Sequence, residues 1–174
     1  MKRWFFVLFA AMMLPALVFG ADNKKKKADK NTKEWYYELE ACSAPYKGAS
    51  NIKVWSYGAN AVVARDQAMK NAVHGVIFRG IPGNPSKRLN ALPPLVDEFG
   101  AEDKYGEFFD RFFADGGDYL RYVTKTGSDS ANEVLKYDRK NYKVGVIVTV
   151  QYDALREMLE KNGIIKSLAS GFTK

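Results

Sequence analysis

Alternating apolar and polar residues predict a β-hairpin near the start of the folded part of the chain. Between residues 35 and 42 the apolar side chains fall on one side, and Glu38 and Glu40 fall on the other. The turn-forming residues Pro45, Gly48 and Asn51 follow, and then a second alternating run at 52–57. Short alternating runs on either side of a turn are typical of paired strands.

A long amphipathic helix is predicted next, between a capping residue at Asn60 and Gly80 beyond its end. Small apolar residues form one stripe along it: Ala61, Ala64, Ala68, Met69, Ala72, Val73 and Val76. The predicted opposite side or flank carries Gln67, Lys70, Asn71 and His74. A stripe rich in alanine lets a helix lie close against a sheet.

Arg65 falls inside this apolar stripe, where an unpaired guanidinium would be costly to bury. Its side chain must therefore reach solvent or meet a carboxylate, and Glu38 and Glu40 are the available partners. We expect a structural ion pair here. A contact between Arg65 and a ligand is the alternative.

Residues 81–96 form a loop in the prediction, because Pro82, Pro85, Pro93 and Pro94 break regular structure. A loop of this length inside a compact domain is often functional. We take Pro82, Asn84, Arg88, Pro93 and Pro94 as candidate partner-binding residues. The alternative is a surface loop without a binding role.

The remaining elements are a second helix, two strands and a last helix. An aromatic face recurs at helical spacing over 104–114, which indicates a core helix. Residues 119–125 fit either a strand or a helix. Strands are predicted at 132–139 and 142–152, and Asp153 is expected to cap a helix that buries Leu155, Met158 and Leu159 and ends at Gly163. Hairpins segregated from helices predict an α+β fold, with an antiparallel sheet of about four strands and two or three helices on one face.

The first 20 residues read as a signal peptide, with Lys2 and Arg3 before an apolar run at 4–18 and small residues at Gly20 and Ala21. The run is shorter than the roughly 20 residues that cross a bilayer. No cysteine follows the expected cleavage point, so we expect a periplasmic or secreted protein without a lipid anchor. We therefore divide the chain into a signal peptide (1–20), a disordered lysine-rich linker (21–34) and one domain (35–174).

The charge of the chain is concentrated outside this domain. Of the formal net charge of +7, two units belong to Lys2 and Arg3 and three to residues 21–34, so +2 remains. We therefore expect no nucleic-acid partner. The lysine run Lys24, Lys25, Lys26 and Lys27 allows at most transient contact with an anionic membrane.

Motifs for catalysis or metal binding are missing from the sequence. The chain has one histidine, His74, predicted on the solvent side, and one cysteine, Cys42, predicted as a buried apolar residue. The acidic stretch comprising Asp97, Glu98, Glu102, Asp103, Glu107 and Asp110 lacks the spacing of a calcium loop. We expect no catalytic residues, no metal and no cofactor.

One segment and one late strand resemble a known group of envelope domains. The helix reads Ala64-Arg65-Asp66-Gln67-Ala68-Met69-Lys70-Asn71-Ala72, and the strand occupies 142–150. This pattern is similar to the LPP20-like domains and to the N-terminal domain of flagellar assembly protein T. The resemblance implies a small α+β envelope module with a structural or assembly role, and it supplies no catalytic residues.

These observations favour an exported, non-enzymatic module that binds another envelope protein or envelope component. Two alternatives stay open. A carboxylate-dependent hydrolase of envelope polymer would need two carboxylates in one cleft, one of them with a raised pKa. A carrier of an apolar ligand would need a cavity between the sheet and the aromatic helix.

Overall fold

The computed structural model describes residues 35–126, 133–136 and 141–167, and these form an α+β fold. The predicted signal peptide (1–20) and linker (21–34) lie outside the described residues. In chain order the elements are β1 (Tyr37–Ala41), β2 (Ala49–Gly58), α1 (Ala61–Phe78), α2 (Ala101–Lys104), α3 (Gly106–Phe112), β3 (Val123–Lys125), β4 (Glu133–Lys136), β5 (Tyr142–Gln151) and α4 (Tyr152–Lys161). Short 3-10 turns occupy Pro85–Lys87 and Asp118–Tyr122. The predicted fold class is confirmed, with five strands in the described sheet where about four were expected.

The strands pair antiparallel in the order β1-β2-β5-β3, and β4 also pairs with β5. The predicted β1–β2 hairpin is confirmed, although β2 begins earlier and includes Asn51, which was assigned to the turn. Because β2 occupies one whole side of β5, β3 and β4 share the other side. The sheet therefore has β1 at one edge and the β3/β4 pair at the other.

The sheet packs its helices on one face, as its alternation predicts. Every second residue of β2 and β5 points into the core and is almost fully buried: Ile52, Val54, Val144, Val146, Val148 and Val150. The opposite face carries polar and aromatic side chains, and Lys53 and Lys143 lie 4.3 and 5.0 Å from the ring centre of Trp55.

Helix α1 begins as predicted, with the Asn60 side chain accepting a hydrogen bond from the Val63 N–H at 2.9 Å. Its second half corrects the sequence analysis, because Lys70, Asn71 and His74 are buried rather than exposed. The sheet covers one side of α1 and aromatic side chains cover the other, with the rings of Phe78 and Phe109 4.8 Å apart. Residues 70–77 of α1 are therefore buried on every side.

The aromatic helix is present, but it differs from the prediction for 104–114. It starts at Ala101 and breaks at Tyr105 into α2 and α3. Phe109, Phe112 and Phe113 are buried, so its aromatic face belongs to the core as predicted. The segment 119–125 combines both alternatives, a 3-10 turn followed by the short strand β3.

The last helix, α4, buries Leu155 and Leu159 completely and Met158 in part. Asp153 does not cap it, because the helix already begins at Tyr152 and Asp153 lies in the first turn. Gly163 follows the helix with a φ of +69°, a conformation that favours glycine, and the predicted end is confirmed.

Candidate functional site

The proline-rich segment folds back on itself beside strand β1. Two antiparallel bridges, Ile81 with Leu92 and Asn84 with Leu89, bring its two arms together. The Asn84 side chain accepts a hydrogen bond from the Lys87 N–H at 3.1 Å and so holds the 3-10 turn at its tip. We call this segment, residues 80–94, the folded loop.

The base of the folded loop is anchored to the end of helix α1. The Leu95 N–H donates to the Val76 carbonyl at 3.2 Å, and the Val96 N–H donates to the Ile77 carbonyl at 2.9 Å. Gly80 has a φ of +74°, and an added Cβ there would lie 2.4 Å from the Leu92 carbonyl oxygen. The return of the loop therefore depends on glycine at position 80.

The larger of two grooves between the folded loop and β1 has a volume of about 650 Å³, and we call it the edge groove. Apolar side chains and prolines make up most of its walls, and Arg79 is the one charged side chain that lines it within the described ranges. Its lining comprises Tyr37, Leu39, Arg79, Gly80, Ile81, Pro82, Ala91, Leu92, Pro93 and Pro94. This size and this mainly apolar lining are typical of ligand sites.

The smaller groove, of about 220 Å³, continues along the same side of the molecule, and we call it the turn groove. It lies beside Ala41 and the β1–β2 turn and shares Ile81 and Leu92 with the edge groove. Of the described residues that line it, Arg88 alone is charged. Arg88 also has a φ of +57°, an uncommon backbone conformation for a side chain other than glycine, asparagine or aspartate.

The edge of β1 faces these grooves. The Cys42 N–H donates to the Asn51 carbonyl at 3.0 Å. This bond shows which alternate residues of β1 form main-chain hydrogen bonds with β2. Even-numbered residues of β1 therefore bond to β2, and the N–H and C=O groups of Tyr37, Leu39 and Ala41 point away from the sheet. Arg79 covers part of this edge, donating to the Trp35 and Tyr37 carbonyls at 2.8 and 3.5 Å.

The structure brings four of the five predicted binding residues to the grooves. Pro82, Pro93 and Pro94 line the edge groove, and Arg88 lines the turn groove. Asn84 lines neither groove, because its side chain is used to hold the 3-10 turn. The sequence analysis missed Arg79, since a basic residue after a helix is an ordinary partner of the helix dipole.

The predicted ion pair of Arg65 stays a prediction. Glu38 accepts hydrogen bonds from Lys143 at 2.8 Å and from Tyr57 at 2.6 Å. Glu40 pairs with Lys87 of the folded loop at 3.3 Å. Both carboxylates lie on the sheet face opposite α1, the helix that carries Arg65.

His74 is buried and joins β1, α1 and α2 through a partly buried network, which corrects its predicted surface position. Its exposed fraction is 3%, and the Trp35 ring stacks on it with 3.5 Å between ring centres. Its Nε2 lies 3.2 Å from a Glu102 carboxylate oxygen, and its Nδ1 lies 2.6 Å from the Tyr37 hydroxyl. Trp35 Nε1 donates to the same Glu102 oxygen at 2.7 Å.

Burial and hydrogen bonding favour neutral His74 and ionised Glu102 at neutral pH. Burial is the main cause of a lowered pKa at His74, which favours neutral imidazole. The hydrogen bond from His74 lowers the pKa of Glu102, which favours the carboxylate. Neutral His74 therefore donates from Nε2 to Glu102 and accepts at Nδ1 from Tyr37.

A sequence signal for this position existed in the residues around His74. The stretch 72–78 is apolar except for His74, so apolar residues extend beyond a single stripe of the helix. Such a pattern indicates burial on more than one side.

A separate cleft, of about 610 Å³, opens beside the His74 network, and we call it the acidic cleft. Glu102, Asp103, Asp110 and Asp115 line it together with Trp35, and Lys70 lies 3.5 Å from Asp115. Asp97 and Glu98 of the predicted acidic stretch are not among its lining residues. No group of three or more candidate metal ligands occurs among residues 35–126, 133–136 and 141–167.

Comparison with known protein families, curated proteins and solved structures found no match to this chain. Among the helices within the described ranges, none has the length and apolar character to cross a membrane. The resemblance to the LPP20-like domains and to flagellar assembly protein T stays a prediction.

Proposed function

We propose that the chain is an exported, non-enzymatic module of the bacterial envelope that binds another protein through the edge groove and the turn groove. The main support is that the proline-rich segment folds into an anchored wall beside the free edge of β1. Export is supported by the sequence of the first 20 residues. The low net charge of the domain favours a protein partner over nucleic acid.

The geometry of the titratable groups favours binding over catalysis. Both ring nitrogens of His74, the one histidine of the chain, already have partners, and the ring is buried. A general base must reach the proton that it abstracts, and this imidazole lies beneath Trp35. We therefore assign the His74 network to holding β1 against α1.

Capture of partners from an envelope extract tests this proposal. The bait is the chain from Ala21 onward, compared with Leu92→Asp, which places a carboxylate at the junction of the two grooves. Val62→Asp is the matched control, because Val62 is an exposed apolar residue of α1 that lines neither groove.

We expect the native chain and Val62→Asp to retain the same partners and Leu92→Asp to lose them. Arg88→Glu, on an exposed side chain, repeats the comparison in case Leu92→Asp unfolds. Partners that remain bound to both groove variants would show that the grooves are not the binding surface.

The hydrolase remains a second proposal, and the acidic cleft is the observation that favours it. A general acid needs a raised pKa, whereas the hydrogen bond from His74 lowers the pKa of Glu102. Digestion of purified peptidoglycan, abolished by Asp103→Asn and by Asp110→Asn, would support a hydrolase. For the proposed carrier, the structure is less favourable, because buried Phe109 and Phe113 pack against α1 in the expected ligand space.

A further inference from the structure

We propose that the partner adds an extended acidic segment as a new strand along the edge of β1, an inference that rests on the proposed function. Recognition by strand addition combines main-chain hydrogen bonds with pockets for alternate side chains. The edge of β1 offers both, since it lies beside the edge groove and the turn groove.

The main-chain part of the site is the outward side of Leu39 and Ala41. Within the described part of the chain, no backbone or side-chain hydrogen bond is made by the outward N–H and C=O groups of these two residues. Arg79 occupies the carbonyls at Trp35 and Tyr37, so the open stretch begins at Leu39. An added strand would bond to four groups there, two donors and two acceptors.

The side-chain part of the site is supplied by the two grooves. They flank the open stretch, with Leu39 lining the edge groove and Ala41 lining the turn groove. Alternate side chains of a strand point to the same face, so those on the groove side would enter between β1 and the folded loop. Apolar side chains suit these positions because Ile81 and Leu92 line both grooves.

The positive charge of the groove residues indicates that the bound segment is acidic. Among the residues that the structure describes, Arg79 and Arg88 are the charged lining residues of the two grooves, and no carboxylate lines either groove. Arg79 lies over Tyr37, with 4.2 Å between its guanidinium carbon and the ring centre, which orients it along the edge. A guanidinium pairs well with a carboxylate, so we expect acidic side chains near both ends of the bound segment.

The length of the segment follows from the strand geometry. A strand rises about 3.3 Å per residue, so the distance from Tyr37, over which Arg79 lies, to Ser43, which lines the turn groove with Arg88, is roughly 20 Å. A segment of about six residues covers this distance. The probe is therefore the acetylated and amidated hexapeptide of sequence EVTVTE, in which both valines and the last glutamate share the groove side and the first glutamate lies at the free end of the segment.

Two matched peptides separate the parts of the interaction while leaving the protein unchanged. KVTVTK keeps the backbone and reverses the end charges. A version of EVTVTE with methylated nitrogens at both valines removes backbone donors and keeps the side chains. Binding is followed by amide chemical shifts and by hydrogen exchange.

With EVTVTE we expect slower exchange at the Leu39 and Ala41 amides and no change at Val123 and Lys125 on the other edge. We expect KVTVTK and the methylated peptide to bind at least about tenfold more weakly, the scale of losing a charge-assisted hydrogen bond or two neutral ones. Arg88→Glu should weaken EVTVTE and improve KVTVTK, whereas Arg121→Glu, another exposed arginine, should change neither.

Three results would overturn strand addition. Equal binding of the methylated peptide would show that the backbone of β1 is not used. Equal binding of KVTVTK would show that the arginines do not select acidic segments. Concentration-dependent dimers that protect Leu39 and Ala41 without peptide would assign the edge to a second copy of this chain.

The failure of this inference differs from a failure of the proposed function. If Leu92→Asp loses its envelope partners while EVTVTE leaves the β1 amides unchanged, the grooves bind protein by another geometry. If Leu92→Asp and Arg88→Glu keep every partner, the proposed function itself fails.

Discussion

The two edges of the sheet differ in how far they are open to another strand. The β1 edge is one continuous strand of five residues, with the folded loop beside it. The opposite edge consists of β3 and β4, which pair with different parts of β5. Lys125 opposes Val148 and Glu133 opposes Gly145, and the two strands pair with β5 in different registers, so they do not form one continuous edge.

Interrupted and charged edges are a common protection against unwanted pairing. Lys125 and Lys136 lie on the β3/β4 edge, and Lys53 of β2 reaches across Gly145 to pair with Glu133 of β4. The β1 edge lacks an interruption and carries grooves instead. One edge of this sheet is therefore divided and charged, and the other is the edge at which we propose that a partner binds.

The largest effect is expected from Gly80→Ala, which acts on the β1 edge. The new Cβ would lie 2.4 Å from the Leu92 carbonyl oxygen and 2.8 Å from the Pro94 nitrogen, in addition to the cost of a φ of +74°. We expect the free energy of unfolding to fall by about 3 kcal/mol, with the folded loop displaced. Urea unfolding and hydrogen exchange at Ile81 and Leu92 measure both effects.

Gly116→Ala is the control for this variant. It has the same φ of +74° but nothing within 4 Å of the added Cβ, so we expect a loss of only about 1 kcal/mol. Equal losses in the two variants would contradict the role of close packing at Gly80.

The next effect is a dependence of β1 on pH through His74. Burial gives His74 a lower pKa in the folded state than its ordinary value of 6.5, so the unfolded chain binds its proton more readily. This contribution to stability is complete above pH 6.5 and is lost as the pH falls from there toward the folded pKa, by at most about 1.4 kcal/mol per pH unit. Urea unfolding between about pH 8 and pH 5.5 measures the slope.

His74→Phe should remove this slope, even though it lowers stability at neutral pH by leaving Glu102 and Tyr37 without their shared partner. On acidification of the native chain, amide protection should fall at β1 before it falls at β3. An unchanged slope in His74→Phe would assign the pH dependence to another group.

A smaller effect is expected from Gly145→Ala, which acts on the opposite edge. The added Cβ would lie 2.7 Å from Lys53 Cε and 2.9 Å from the Trp55 ring, both of them side-chain atoms that can shift. We expect a loss of about 1 kcal/mol in the free energy of unfolding, with weaker protection of β4. The control, Gly106→Ala, meets nothing within 4 Å at the start of α3 and should not destabilise the fold.

The smallest effect is expected from Glu38→Gln on the open face of β1. Lys143 and Tyr57 bond to this carboxylate and lower its pKa, but more than half of the side chain is exposed. Exposed ion pairs contribute little to stability, so we expect the free energy of unfolding to fall by about 0.5 kcal/mol. Thermal or urea unfolding measures this change. A loss of stability as large as that of Gly80→Ala would contradict the expected order of these two variants.

The candidate binding surface was less predictable than the fold. The proline-rich segment was identified because prolines and glycines are local signals, and four of its five selected residues line the grooves. Arg79, Leu39 and Ala41 were not identified, since their role depends on β1 being an edge strand next to a loop about 40 residues away. No local pattern records that proximity.

Sequence alone determined the elements whose signals are local. Alternation identified β1, β2 and β5, Asn60 marked the start of α1, and Gly163 marked the end of α4, because periodicity and capping act over a few neighbouring residues. The tertiary structure decided which residues are enclosed. His74 is buried because Trp35, Phe113 and Glu102 meet it from distant parts of the chain, and long-range packing of this kind overrides the pattern of one helix face.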